Sequence, residues 1–370
     1  MIQYKKFSYP LSPEKSEQFF TVTGEGATFM EQWDSLWEKY EKALGENGCS
    51  EDSEFYLKIH LSDITNQAPF LREKLAGRKS FYALLGQMPA DLSFVVLEAW
   101  HIHPMKKSFA PGMVKAEFSS HKAVLFQMEK TVTGGSYPQT AEEFTALQET
   151  LAKERANVAD HTLRTWLYCR DVDNNYKDLV LARNDFFDTI DLTAKTHFIA
   201  STGIEALLED PHRLVRMDSL SFPGIRKEQI EYLSALEHLS STAIYNVRFE
   251  RGTRVIFGDR SHYYISGTAS IDKKGEIVHP YDTARQTERM LENIHALLSA
   301  GNGSLSDLVQ GTLYLRDMAE AKRVKEVLKG NLPEDLPLAI VKAPVCRPGW
   351  LVEMEGIAIN GKGDPHFAAL

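Results

Sequence analysis

The sequence predicts an α+β fold built from three tandem β-β-α-β-α-β-β units. Three observations carry that expectation. The phrase Leu313-Tyr314-Leu315-Arg316-Asp317-Met318 has two upstream echoes, Trp166-Leu167-Tyr168-Cys169-Arg170-Asp171-Val172 and Ile59-His60-Leu61-Ser62-Asp63-Ile64. Each is a β-rich run ending in Asp and an apolar residue, and each follows a helix-like segment (residues 29–44, 141–155 and 283–298). Each is succeeded in turn by strand-like runs ending at 95–102, 214–222 and 351–359, with an acid near the close: Glu98, Asp218 and Glu355.

Taken in order, the first unit spans 1–105, the second, with insertions, 106–238, and the third 239–370. The Pro- and Lys-containing stretch 104–111 and the polar Leu239-Ser240-Ser241-Thr242 are the expected joints. The third unit is the most complete. It opens with a hairpin of Val255-Ile256-Phe257 and Tyr263-Tyr264-Ile265-Ser266-Gly267-Thr268-Ala269-Ser270. Its first helix carries Met290, Leu291, Ile294, Leu297 and Leu298 on one stripe. Each unit is expected to fold as a mixed sheet with both helices on one face.

Composition is that of an ordinary globular chain: 370 residues, 43% hydrophobic, 25% charged. A net charge of −9 without a Lys/Arg block argues against nucleic acid as a partner, because phosphate binding needs clustered cations. Three cysteines cannot all pair and form no C-x-x-C, which implies a reducing compartment. The first residues lack an apolar leader core, and no apolar run is long enough to cross a bilayer. A cytoplasmic protein is expected.

The chemistry concentrates at Cys346-Arg347-Pro348-Gly349-Trp350-Leu351-Val352-Glu353-Met354-Glu355-Gly356-Ile357-Ala358. After the Pro-Gly turn the residues alternate, placing Leu351, Glu353, Glu355 and Ile357 on one strand face. A carboxylate among apolar neighbours has its charged form disfavoured and can hold a proton near neutrality. The plainer alternative is that both acids meet water at a strand end.

The runs ISGTASID, GEIVHPYDTARQTERMLENIHALL, LVQGTLYLRD and APVCRPGWLVEMEGIAI resemble the Rid superfamily, also called YjgF-like or endoribonuclease L-PSP-like. The resemblance is specific over about 249–359, weaker in the second unit and mostly architectural in the first. It implies chorismate-mutase-like units, and because single-unit members are homotrimers, three units in one chain imply an intramolecular pseudo-trimeric barrel. Cys-Arg-Pro-x-x-Leu-x-Glu and the run LRTWLYCRDVDNNYKDLVLARNDFF are similar to the fused chorismatases, which hydrolyse chorismate. One feature departs from the deaminases of the superfamily. Where they carry an Arg that grips the substrate carboxylate, this chain has Leu338-Ala339-Ile340.

Catalysis is therefore expected from Glu353 as general acid, with Cys346 lining the pocket or steering an intermediate; a small buried hydrophobe is the other reading of that thiol. Arg347 and Arg254 are expected to grip carboxylates, since a guanidinium does so bidentately. Tyr264, Ser266, Gly267 and Thr268 are expected to line the site, Gly267 by close backbone approach or, alternatively, only as a bulge. Arg183 and Tyr176 are further candidates from the second unit, although Arg183 also reads as a helix-face charge. At the place of Glu353 the other units have Val96 and Arg216, so one active site is expected.

No metal and no cofactor are expected. His101-x-His103 lacks a third ligand, and Thr131-Val132-Thr133-Gly134-Gly135-Ser136 lacks the Lys of a phosphate loop. His262, His279 and His295 show no partner by spacing. The functional expectation is a hydrolase of a small carboxylate-bearing substrate, chorismatase-like first and enamine/imine deaminase second. A non-catalytic small-ligand binder is the other class. Neither nucleic acid, membrane nor a partner chain to close the barrel is expected.

Overall fold

The computed structural model describes residues 1–9, 14–130, 133–245 and 247–370. The first sheet contains β1 (Ile2–Ser8), β2 (Ser16–Thr23), β3 (Glu54–Leu61), β4 (Phe81–Leu85) and β5 (Val95–His103), with α1 (Phe29–Glu46) before β3 and α2 (Ile64–Lys74) after it. The second contains β6 (Lys106–Ala110), β7 (Met113–Glu117), β8 (Lys122–Gln127), β9 (Thr162–Cys169), β10 (Ala200–Glu205) and β11 (Val215–Ser221). Its helices are α3 (Ser136–Lys153), the short α4 (Val158–His161) and α5 (Val172–Thr189). The third contains β12 (Ile230–Tyr232), β13 (Gly252–Ile256), β14 (Ser261–Ala269), β15 (Leu308–Leu315), β16 (Leu338–Lys342) and β17 (Val352–Asn360), with α6 (Thr283–Ala300) and α7 (Ala321–Leu328).

The strand orders coincide. The first sheet runs β1-β2-β5-β3-β4, the second β7-β8-β11-β9-β10 with β6 added at its edge, and the third β13-β14-β17-β15-β16 with β12 added. In each, only the pair flanking the crossover helix is parallel: β3 with β4, β9 with β10, β15 with β16. The Asp that ends each echoed phrase stands at the N-terminal cap of the next helical element. Asp63 caps α2 through Asn66 N and Asp317 caps a 3₁₀ turn through Ala319 N, whereas Asp171 precedes α5 with φ +51° and no side-chain cap.

Each sheet has one face under helices and one face turned inward. In the first, Phe20, Leu57 and Leu97 pack against Trp33, Leu36 and Tyr40 of α1. In the second, Val124, Leu167 and Met217 pack against Phe144, Leu147 and Leu179. The opposite faces share one core, in which Phe19 and Trp100, Trp166 and Leu220, and Tyr264 and Tyr314 meet from the three sheets. The alternation of strand side chains is what divides these sets.

Two expectations on the joints change. Residues 106–110 are a strand rather than a linker, paired to β7 and held by Lys107 Nζ, which donates to the carbonyls of Glu51, Glu54 and Lys79. β12 lies upstream of residue 239 yet pairs with β13, so the third sheet starts earlier than the polar stretch suggested. Thr131 and Val132, part of the supposed turn, lie outside the described residues.

Candidate active site

A cleft of about 370 Å³ lies between the second and third sheets. β17 supplies Glu353, held in register between Ala269 of β14 and Tyr314 of β15. The loop before β17 supplies Cys346, Arg347 and Trp350, the segment before β13 supplies Phe249 and Arg251, and α5 supplies Tyr176, Arg183 and Asn184. Ser201 and Gly203 of β10 close the floor.

β14 is bulged between Ile265 and Thr268, and the bulge is where the two sheets are stitched. Ser201 N donates to Ser266 Oγ at 2.9 Å, and Gly267 N donates to Thr202 Oγ1 at 2.9 Å. The bulge expected at Gly267 is present, and the group that approaches its backbone closely is a side chain of the protein. Gly267 lies against the acid, because a Cβ there would overlap Glu353 Oε1. Gly203 makes the matching allowance, since its Cβ would stand 2.6 Å from the Tyr176 ring.

Glu353 is buried, and among the described residues its carboxylate takes no hydrogen bond or ion pair. Burial, then the neighbouring Glu355 charge, raise its pKa to about 8, against the opposing pull of Arg251 and Arg164. Glu355, two residues on, receives Lys58 Nζ at 2.6 Å, Arg164 Nη2 at 2.7 Å and Trp166 Nε1 at 2.9 Å. Burial alone would raise it, but Lys58 and Arg164 overcome that and hold it at about 2. The Cys346 thiol is pushed up to about 12 by burial and by Glu353, with the Arg347 charge opposing. Thiolate chemistry at neutral pH is therefore disfavoured.

The acids Glu98, Asp218 and Glu355, each the fourth residue of its strand and buried there rather than at a strand end, form a cycle among the sheets. Tyr56 of the first sheet donates to Asp218 of the second at 2.6 Å, Arg164 and Trp166 of the second donate to Glu355 of the third, and Thr312 of the third donates to Glu98 of the first at 2.9 Å. Register also assigns the residues equivalent to Glu353. Tyr314 faces Glu353, Tyr168 faces Arg216, and His60 faces Val96. Among these three positions only Glu353 is an acid.

Of the expected site residues, Glu353, Cys346, Arg347, Gly267, Arg183 and Tyr176 come together around this cleft. Four do not line it. Arg254 turns to the helix-covered side, where it donates to Glu231 Oε2 at 2.8 Å, Ser261 Oγ at 3.1 Å and Lys362 O at 3.2 Å. Tyr264 is fully buried in the shared core beside His262 and Trp100. The Ser266 hydroxyl is consumed by Glu250 O and Ser201 N, and the Thr268 hydroxyl by Ser266 O.

Arg183 is 1% exposed, so it is not a helix-face surface charge. Arg251 and Asn184 are not among the expected site residues: Arg251 belongs to no motif, and Asn184, although it follows Arg183 in the run similar to the chorismatases, reaches the cleft only through the fold. Leu338-Ala339-Ile340 of β16 lies on another cleft, and the strand of the second sheet that lines the cleft with Glu353 is β10.

Two histidine readings also resolve. His262 does have a carboxylate partner, Glu17 at 2.8 Å from its Nε2, supplied from 245 positions away. His101 is held by the Tyr40 hydroxyl at 2.7 Å and the Ser53 hydroxyl at 2.9 Å. Among the described residues no group of three His, Cys, Asp or Glu is arranged to hold a metal, and no helix is long and apolar enough to cross a membrane.

Residues 254–360 match the endoribonuclease L-PSP family. The 3-aminoacrylate deaminase RutC of Acinetobacter baylyi is 33% identical over 96 residues, which are 26% of this chain and 76% of that protein. The crystal structure of a chorismatase superposes with a TM-score of 0.64 at 18% identity, covering 83% of this chain and 93% of that one, a likeness of fold. RidA from an Antarctic Psychrobacter is 27% identical over 35% of this chain and 98% of its own, with a TM-score of 0.29. On this match and this relative, the chain belongs to the Rid superfamily of endoribonuclease L-PSP-like proteins.

Proposed function

We propose that the chain is a metal-free hydrolase of a small carboxylate-bearing substrate, acting in one cleft with Glu353 as general acid. The observation that carries the reading is a buried carboxyl whose pKa of about 8 leaves it protonated at neutral pH, in a cavity that also receives Arg183, Arg251 and Arg347. A protonated acid and a cation for the substrate carboxylate are what hydrolysis of an enol ether demands.

For a chorismate-like substrate, Glu353 gives its proton to the methylene carbon of the enolpyruvyl group. The adjacent carbon becomes an oxocarbenium ion. Water adds there and returns a proton to the Glu353 carboxylate. The hemiketal then collapses, breaking its bond to the ring oxygen and releasing pyruvate and a ring alcohol. The guanidiniums would hold the substrate carboxylates, and the Cys346 thiol, kept protonated, would serve as a wall of the pocket.

The same acid suits a second reading. The RutC relative is a 3-aminoacrylate deaminase, and protonating an enamine at carbon prepares an iminium for attack by water with loss of ammonia. The third reading is a non-catalytic binder using the same cleft. We further propose that residues 1–105, 106–238 and 239–370 are three Rid-like units, the third joined by β12 from upstream of its boundary, closing one pseudo-trimeric barrel without a partner chain. The matching strand orders support this.

The test is incubation of the purified chain with chorismate, and separately with enzymatically generated 3-aminoacrylate, assaying pyruvate and ammonia. Pyruvate release from chorismate, abolished in Glu353→Gln, is expected. Ammonia release alone favours the deaminase. No turnover of either substrate by the wild-type chain, with saturable binding, favours the binder.

A further inference from the structure

A second cleft, of about 620 Å³, lies between the third and first sheets. It is lined by α7 and the residues after it, by β16, by β2 and by the loop before β5. Register puts Val96 in it where the first cleft has Glu353, and Leu328, Leu332, Leu336 and Leu338 make its wall apolar. General acid chemistry of the Glu353 kind has no residue there, yet the space is larger than that of the first cleft.

Of the polar groups that interrupt the apolar wall, Thr21 and Lys325 are the ones withdrawn from solvent and without a hydrogen-bond or ion-pair partner among the described residues. Thr21 is 5% exposed, lines the cleft, and its Oγ1 has no hydrogen-bond partner among the described residues. A buried hydroxyl without a partner is uncommon in a native fold and is satisfied when a ligand supplies one. Lys325 of α7 is half-buried on the same cleft and makes no ion pair among the described residues. The other charged lining side chains, Lys329, Asp91 and Glu334, are exposed, so solvent screens them more strongly.

We infer that this cleft between the third and first sheets is a separate binding site for an amphipathic carboxylate. The ligand would carry an apolar body, an anionic end reaching Lys325, and a hydrogen-bonding group at the other end meeting Thr21. The volume is in the range of small-molecule sites, roughly 300–1,000 Å³. The inference stands apart from the reading of Glu353, because it uses a different cleft and needs no catalysis.

The probe is 3-(4-hydroxyphenyl)propionate, titrated into the full chain by calorimetry, with its uncharged propionamide and with 3-phenylpropionate as comparisons. Binding with a Kd of about a millimolar or tighter is expected. Lys325→Gln should weaken it about ten-fold and leave the amide unchanged. Thr21→Val should abolish the preference for the hydroxylated probe. Leu332→Trp, at a half-buried position on the wall, should block the site if the deeper Thr21→Val variant fails to fold.

Glu353→Gln should leave this binding in place. Loss of binding in Glu353→Gln would put the probe in the first cleft and overturn the inference. So would an affinity indifferent to Lys325→Gln and Leu332→Trp, or no binding of the probe up to millimolar concentration.

Discussion

Glu353 and Glu355 lie two residues apart on one face of β17, and their surroundings drive their protons in opposite directions. Glu353 is buried without a cation in contact and is raised to about 8; Glu355 is equally buried but touches Lys58 and Arg164 and is lowered to about 2. Two carboxyls of one strand thus divide into an acid and a tie between sheets.

The first prediction concerns Glu353. Its folded pKa lies above the ordinary carboxyl value, so between pH 4.5 and about 8 the folded state binds a proton that the unfolded state does not. The stability that this proton contributes is present in full below pH 4.5 and is lost as pH rises through 8, at about 1.4 kcal/mol per unit within the window. Glu353→Gln removes the titration. Its melting temperature should gain on the wild type steadily from pH 5 to pH 8, while turnover falls by about 10²–10⁴-fold. Parallel melting curves at every pH would mean that Glu353 is not held protonated.

Glu355 should behave in the opposite sense. Its folded pKa is below the ordinary value, so its contribution is present above pH 4.5 and is lost as pH falls towards 2. Glu355→Gln leaves Lys58 and Arg164 without their shared anion. Removing one partner from a buried pair costs about 3–5 kcal/mol, and the loss should appear in denaturant unfolding at pH 7. If Glu355→Gln unfolds like the wild type but loses turnover, the two carboxyls have been assigned the wrong way round.

What could be read in the sequence was what is local. The strand run at 351–359 is observed as β17 from Val352, and the expected helix at 283–298 is observed as α6. The alternation that put Glu353 and Glu355 on one face needed only a period of two. The residues that complete the cleft are another matter. Arg251 reaches it from a segment without regular structure, and Asn184 reaches it from a different sheet's helix, where only Tyr176 and Arg183 are expected. Arg254 misled because it is an Arg on a strand near the motif, yet its side chain pairs with Glu231, which lies on β12, a strand the sequence did not reveal. Three residues are too few to show alternation.

Arg347 tests substrate capture. Its guanidinium lies 4.7 Å from the Trp350 ring centroid and its Nη1 donates to Gly275 O at 3.1 Å, so the planar group is stacked and oriented. Lysine keeps the charge but loses the stack and the fork. Arg347→Lys should raise KM about ten-fold or more, the equivalent of about 1.5–3 kcal/mol for a charge-assisted hydrogen bond, and leave kcat within a few-fold. An unchanged KM would remove Arg347 from substrate binding.

Gly267 tests whether the position of the Glu353 carboxyl matters as much as its proton. A methyl group at Gly267 would overlap Glu353 Oε1 and stand 3.1 Å from Thr202 Cγ2, so the carboxyl must swing away. The backbone at Gly267 is not in the left-handed region, so alanine brings no conformational strain of its own there. Gly267→Ala should therefore keep its melting temperature within a few degrees of wild type and lose about 10²-fold in turnover, the size of effect expected from misplacing a reacting group by about 1 Å. It should also depress the pKa that governs turnover, because a carboxyl pushed from its pocket regains solvent. The pH profile separates the two explanations of a slow variant. If Gly267→Ala slows turnover but keeps the wild-type profile, the methyl blocks substrate and leaves the acid where it was.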